Sequence, residues 1–211
     1  MRTLLALCLF VGCAHPATRL AGPIQKTGGC LERRFDVKDS LGESVALGAN
    51  EEQLTTVVVL LSRAASEDAS QFIRQIDEHL LNAPVQIVGI VDLHRYGGLA
   101  RSLAERSLRK AAAESREKRR KRREAQGVDS SPTFVNRWHV IGDFAGRLLG
   151  RFGVALDPKE PVAFVVTSCG QVRGPFHDVD ATLAAVGHAV PAKTARTPSS
   201  SRASSLVSAA R

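Results

Sequence analysis

The stretch TTVVVLLSRAASEDASQFIRQI, Thr55 to Ile76, decides how this chain is read. Its first eight residues form a continuous apolar, β-branched run, as expected of a strand covered on both faces. The period then changes. Phe72, Ile73, Ile76, Leu80 and Leu81 share one helical face, Ser66 is placed to cap the helix, and Glu67 and Asp68 meet the positive end of its dipole. VQIVGIVD, Val85 to Asp92, follows as a second buried strand, so the unit is a strand, helix, strand crossover with a parallel pair. Reactive groups of α/β proteins gather at the carboxyl ends of such strands. Here the junction holds Ser62, Arg63, Ala64, Ala65, Ser66, Glu67 and Asp68, with no obvious nucleophile, metal ligand or phosphate loop.

Upstream, ERRFDVKDSLGESVALG alternates around a Leu41-Gly42 turn and predicts a β-hairpin. Downstream, RWHVIG reads as a strand, DFAGRLLGRFG as a short helix, EPVAFVV as a strand, TSCG as a turn, QVRGPF as a strand and DVDATLAAVGHAV as a final helix. That order closes an α/β sheet with an antiparallel edge. Between the two halves, after His94-Arg95-Tyr96 and Gly97-Gly98, strong helix formers run from Leu99 to Gln126 and stop at Gly127. Leu99, Leu103 and Leu108 form a thin apolar stripe, which predicts that the first half of this helix covers the sheet. The second half is charged all round and is expected to leave the body and stand in solvent.

The 211 residues and 22.6 kDa give room for one domain with a proper core. The net charge of +8 is concentrated in REKRRKRR, Arg116 to Arg123, where seven basic residues and one acidic residue account for +6. Two uses of this run stay open. It is a solvated helix held by pairs such as Glu114 with Lys118 and Glu117 with Lys121, or Arg116, Lys118, Arg119, Arg120, Lys121, Arg122 and Arg123 contact an anionic lipid leaflet or envelope polymer, at about 1 kcal/mol per cation. Nucleic acid is the weaker reading, because only Trp138 and Tyr96 lie near the run to stack on bases.

The ends differ from the middle. MRTLLALCLFVGC has an apolar run from Leu4 to Val11, too short to span a bilayer. Its last residues, FVGC, resemble the lipobox of bacterial lipoproteins. The resemblance implies a signal peptide over residues 1–12, a diacylglycerol on Cys13, and a lipid anchor in the cell envelope. Ala14 stands where Asp would retain an enteric lipoprotein in the inner membrane, so the outer membrane facing the periplasm is expected. Plain secretion, or Cys13 as a buried small apolar residue, are the competing readings. Residues 13–30 then form a flexible tether, 31–190 the domain with an insertion at 97–130, and 191–211, rich in Ser and basic, a disordered tail.

From Phe35 to Val190 the chain resembles the thioredoxin-like fold, nearest its peroxiredoxin and membrane-anchored thiol-oxidoreductase branch. The part that carries the resemblance is WHVIGDFAGRLLGRFGVALDPKEPVAFVVTSCGQVRG, with its Asp143-x-x-Gly146, Phe-Gly-Val helix end, Pro-led strand and Gly turn. The fold implied is a mixed sheet flanked by helices, carrying the long basic helix as an insertion. Pro161 falls at the family's cis-proline position, though a proline also suits the first residue of an edge-like strand.

In redox-active members a Cys-x-x-Cys pair opens the helix after the first buried strand, where the helix dipole lowers a thiol pKa. This chain has Ala65-Ser66-Glu67-Asp68 there, and the two carboxylates disfavour a thiolate. Ser66 with His94 as base is a poor nucleophile against its ordinary use as a cap. Cys30 and Cys169 are a candidate disulfide, two free thiols or a catalytic pair, and nothing in the TSCGQ turn is expected to lower the Cys169 pKa. These readings lead to a domain that has lost the family's redox centre and acts through binding, with no metal or cofactor and no protein partner the residues can name. The alternative is a thiol-dependent oxidoreductase or peroxidase using Cys30 or Cys169.

Overall fold

The computed structural model describes residues 35–48, 54–62 and 66–189. The hairpin pairs β1 (Phe35–Lys38) with β2 (Ser44–Leu47) antiparallel. Asp39 makes its turn: the Oδ1 atom accepts from the backbone of Leu41 and of Glu43, both at 2.9 Å, and Gly42 takes φ 89°.

The main sheet comes from β3 (Thr55–Leu61), β4 (Val85–Asp92), β5 (Trp138–Asp143), β6 (Val162–Val166) and β7 (Val172–Phe176). Their order is β5-β4-β3-β6-β7. The first three are parallel, while β6 runs antiparallel to β3 and β7 antiparallel to β6. The crossover from β3 to β4 is α1 (Ser66–His79), as its period requires. The helix begins at Ser66 itself rather than after it, and that side chain is outside the described residues.

Alternation along the strands assigns side chains to two faces. Val57, Val59 and Ile87 meet Phe72, Ile73 and Ile76 of α1 and Ala185 and Val186 of α5 (Val179–Ala189). Val58, Leu60, Val88 and Ile90 meet Ile141, Leu149, Phe152 and Phe164, together with Val45 and Leu47 of the hairpin. Each fully buried Val, Leu or Ile among them contributes roughly 1.5–3 kcal/mol. The strand order itself is that of a thioredoxin-like α/β sheet flanked by helices.

The Asp143-x-x-Gly146 segment has a physical job. Asp143 ends β5, and its carboxylate accepts from the backbone of Arg147 at 3.0 Å, Leu148 at 2.7 Å and Leu149 at 3.0 Å, which starts α4 (Arg147–Arg151). Gly146 adopts φ 65°, and a Cβ there would lie 2.6 Å from Leu156.

The insertion is α2 (Gly98–Ala125), followed by a short α3 (Pro132–Val135) that its sequence did not suggest. Its polarity is the reverse of the expected one. Leu99 is 87 % exposed and Leu103 63 %, whereas Ala112, Arg116, Arg119 and Arg123 are buried. The supposedly solvated half is the half that packs on the body, because its arginines find acceptors there. Arg116 donates to Trp138 O at 3.0 Å, Glu43 Oε1 at 2.7 Å and Asp39 Oδ2 at 2.8 Å. Arg119 Nε lies 3.1 Å from Asp77 Oδ1, and Arg122 bonds the same carboxylate. Arg123 reaches the carbonyls of Leu81 and Asp129.

On the outer face Lys121 pairs with Glu117 at 3.7 Å, as expected, but Glu114 pairs with Lys110 at 3.9 Å rather than with Lys118. The peptide bond before Pro161 is trans. The cis X-Pro bond among the described residues is Gly174–Pro175. Pro161 is buried just ahead of β6, where a missing N–H costs no ladder bond. No helix among the described residues is long and apolar enough to cross a membrane. Cys13, Cys30, the tether and the tail from residue 191 lie outside the described residues.

Candidate functional site

The carboxyl ends of β3, β4 and β5 converge on one corner, and Asp92, the last residue of β4, organises it. Its side chain is buried, Oδ1 accepts from His94 N at 3.1 Å and meets His94 Nδ1 at 2.7 Å, and Oδ2 accepts from Asp157 N at 2.7 Å. Burial pushes the Asp92 pKa up, but the Asp157 N–H and the His94 ring and N–H together outweigh it, so the carboxyl is held below its ordinary value. The ionised Asp92 orients the His94 ring with Nδ1 toward its carboxylate.

Asp157 sits at φ 52° and pairs with Arg95. Ser62, the residue after β3, donates to Pro158 O at 2.5 Å, which ties this loop to the β3 end. The result is a cleft of about 830 Å³ lined by Asp92, His94, Arg95, Tyr96, Ala100, Asp157 and Lys159. Its rim presents the Lys159 ammonium, the His94 ring and the Arg95–Asp157 ion pair, a set suited to holding a polar ligand.

Two groups of carboxylates with a histidine have ligand atoms within 4.8 Å of one another: Asp92, His94 and Asp157, and Asp39, Glu43 and His139. In the second the Arg116 guanidinium already bonds both carboxylates and lies 3.2 Å from His139 Nδ1. In the first both Asp92 oxygens are engaged and Arg95 holds Asp157. Each arrangement is therefore complete without an ion.

His94 stands at the strand end where its position in the chain puts it. Asp92 and Asp157 went unrecognised as site residues. The carboxylate two places before His94 was a legible signal, since an Asp that caps the N–H two residues on is an Asx turn. Asp157 has no such local mark. Cys169 lies in the turn between β6 and β7. The register pairs Thr56 with Val166 and Leu60 with Val162, so this turn is at the opposite end of the sheet from Ser62.

The expectation that nothing there affects the thiol needs correction. The Thr167 hydroxyl, 3.0 Å from Sγ, followed by the Gln171 N–H, holds the Cys169 pKa below its ordinary value. The side chain is exposed and unbridged.

No family profile and no curated protein sequence matches the chain. Among solved structures it is similar to the pneumococcal exposed lipoprotein thioredoxin Etrx1 of Streptococcus pneumoniae, at 15% identity and TM-score 0.47 over 74% of this chain and 99% of that one. It is also similar to StoA of Bacillus subtilis, at 10% identity and TM-score 0.44 over 73% and 97%. A third is a SCO1/SenC family lipoprotein of Bacillus anthracis, at 9% identity and TM-score 0.42 over 74% and 93%. At these values the strand order, rather than the likenesses, assigns the thioredoxin-like fold.

Proposed function

We propose that this chain is a lipid-anchored envelope domain of thioredoxin-like fold that acts by binding a polar ligand, not by thiol exchange. One observation carries the reading: the corner where the resembled family keeps Cys-x-x-Cys has Ala65-Ser66-Glu67-Asp68 instead, and beside it the buried Asp92 locks His94 and Asp157 into the wall of a cleft. The side chains there are held by hydrogen bonds before any ligand arrives, which lowers the ordering cost of binding. Anchorage rests on FVGC at residues 10–13, and the outer membrane on Ala14.

The basic helix has a smaller part than its charge suggests. Arg116, Arg119 and Arg123 are consumed inside the protein, and Arg122 bonds Asp77. On the outer face Lys118, Arg120 and Lys121 stand against Glu117 and Glu124, so three cations less two carboxylates leave one net charge for an anionic surface.

A second reading is favoured by the depressed, exposed Cys169 thiol: reversible oxidation or exchange at that residue, alone or with Cys30. Insulin-reduction and peroxide-consumption assays on the full chain separate the two. Background rates are expected; turnover that disappears in Cys169→Ser would overturn the binding reading in favour of the thiol one.

A further inference from the structure

Four guanidiniums gather where the last turns of α2 meet α1 and the segment leading into β5. Arg119 is 1 % exposed, and Arg122, Arg123 and Arg137 are close enough that each holds its pKa down, after burial itself. Arg123 and Arg137 both lie over one ring, with their guanidinium carbons 4.9 Å and 4.5 Å from the Phe134 centroid. The buried carboxylate set against them among the described residues is Asp77, which reaches Arg119 and Arg122. Glu78, 3.8 Å from Arg122 Nη1, and Asp129 stand at the solvent side.

That leaves donors without acceptors. Arg119 Nε and Nη1, Arg122 Nε, and Arg137 Nε and Nη1 are buried atoms with no hydrogen-bond partner, and beside them Asp77 Oδ1, 3.1 Å from Arg119 Nε, is an unbonded acceptor. An unmet buried N–H on a charged group is costly, and five such nitrogens against the one unbonded Asp77 oxygen call for a further acceptor with several oxygens. Guanidinium forks match tetrahedral oxyanions, and a small ion needs no more than the few donors gathered here.

We propose that Arg119, Arg122 and Arg137 form a binding site for a small tetrahedral oxyanion of the phosphate class, seated between α1, α2 and the turn into β5. The partly exposed side chains of Arg122 and Arg137 provide the way in. This site is separate from the cleft at Asp92 and does not depend on it.

The test uses the full chain in thermal melts and calorimetric titrations, with sodium phosphate set against sodium chloride at matched ionic strength. Phosphate is expected to bind saturably and to raise the melting temperature by about 3–5 °C at ten times its Kd, with chloride giving no saturable shift. Arg137→Gln should weaken phosphate binding about tenfold or more, whereas Arg120→Gln, on the outer face of the same helix, should leave it unchanged. If Arg137→Gln does not fold, Arg122→Gln carries the same expectation. Indistinguishable curves in phosphate and chloride, or an equal loss in Arg120→Gln, would overturn the proposal.

Discussion

Arg116 Nη2 lies 2.8 Å from Asp39 Oδ2, across 77 residues of chain, and both side chains are buried. The contact fixes the middle of α2 to the hairpin turn, while Arg116 Nε holds the first carbonyl of β5 at 3.0 Å. A helix whose sequence looks like a solvated projection is therefore clamped to two other elements by charge.

Removing Arg116 leaves the buried Asp39 carboxylate without its guanidinium, whereas removing Asp39 still leaves Arg116 bonded to Glu43. Arg116→Gln should cost about 3–5 kcal/mol in urea unfolding, and Asp39→Asn less, since Arg116 keeps Glu43. Lys121→Gln, on the exposed face of the same helix, should stay within about 0.5 kcal/mol. Equal costs for Arg116 and Lys121 would show that the helix is free of the body.

His139 belongs to the same cluster, 3.0 Å from Asp39 Oδ2. Burial pushes its pKa below the ordinary 6.5; Asp39 opposes this and Arg116 adds to it. The unfolded chain then takes up a proton near pH 6.5 that the folded protein refuses. Below that pH the unfolded state binds more protons, so stability falls with falling pH, with a slope of up to about 1.4 kcal/mol per unit until the folded pKa is reached. Unfolding free energies measured between pH 7 and 5 should vary less in His139→Gln than in the wild type; identical slopes would remove His139 from the account.

The exposed leucines make the opposite prediction from their apolar pattern. Leu99→Gln and Leu103→Gln should change stability by less than about 0.5 kcal/mol. Gly142→Ala should cost more, since its Cβ would meet Phe144 at 2.9 Å, Leu108 at 3.0 Å and Leu93 at 3.1 Å, and those contacts must give. Melting temperatures of the three variants decide this.

At Cys169 the expected readout is a rate. Its thiol should react with iodoacetamide at neutral pH faster than a free cysteine peptide, and Thr167→Val should slow it by removing the main cause of the lowered pKa. An unchanged rate in Thr167→Val would leave the hydroxyl without effect on the thiolate.

The sheet was legible because its evidence is local. VQIVGIVD is β4 residue for residue, and the change of period after Ser62 places α1. The packing of α2 was not, because a hydrophobicity pattern counts arginine as polar. Ala112, Arg116, Arg119 and Arg123 follow a four, three, four spacing, which is a buried helical stripe written in arginine. Lys118 and Lys121 fall off it, as expected when planar forks serve buried pairs and compact ammonium groups serve solvent. The acids that receive these arginines, Asp39, Glu43 and Asp77, are 42 or more residues from their partners in the chain, and no local pattern joins them. At the candidate site the same limit applies: Asp92 and His94 are neighbours in sequence, while Asp157 arrives from 65 residues away.

Action by binding, without thiol exchange anywhere in the domain, is the reading on which the other assignments rest. It is tested most directly by measuring insulin-disulfide reduction side by side for the wild type, for Cys169→Ser, and for a variant with Ala65→Cys and Asp68→Cys, which places a Cys-x-x-Cys pair at the start of α1. Background rates are expected for the first two and measurable turnover for the third. Wild-type turnover that is lost in Cys169→Ser would contradict that reading.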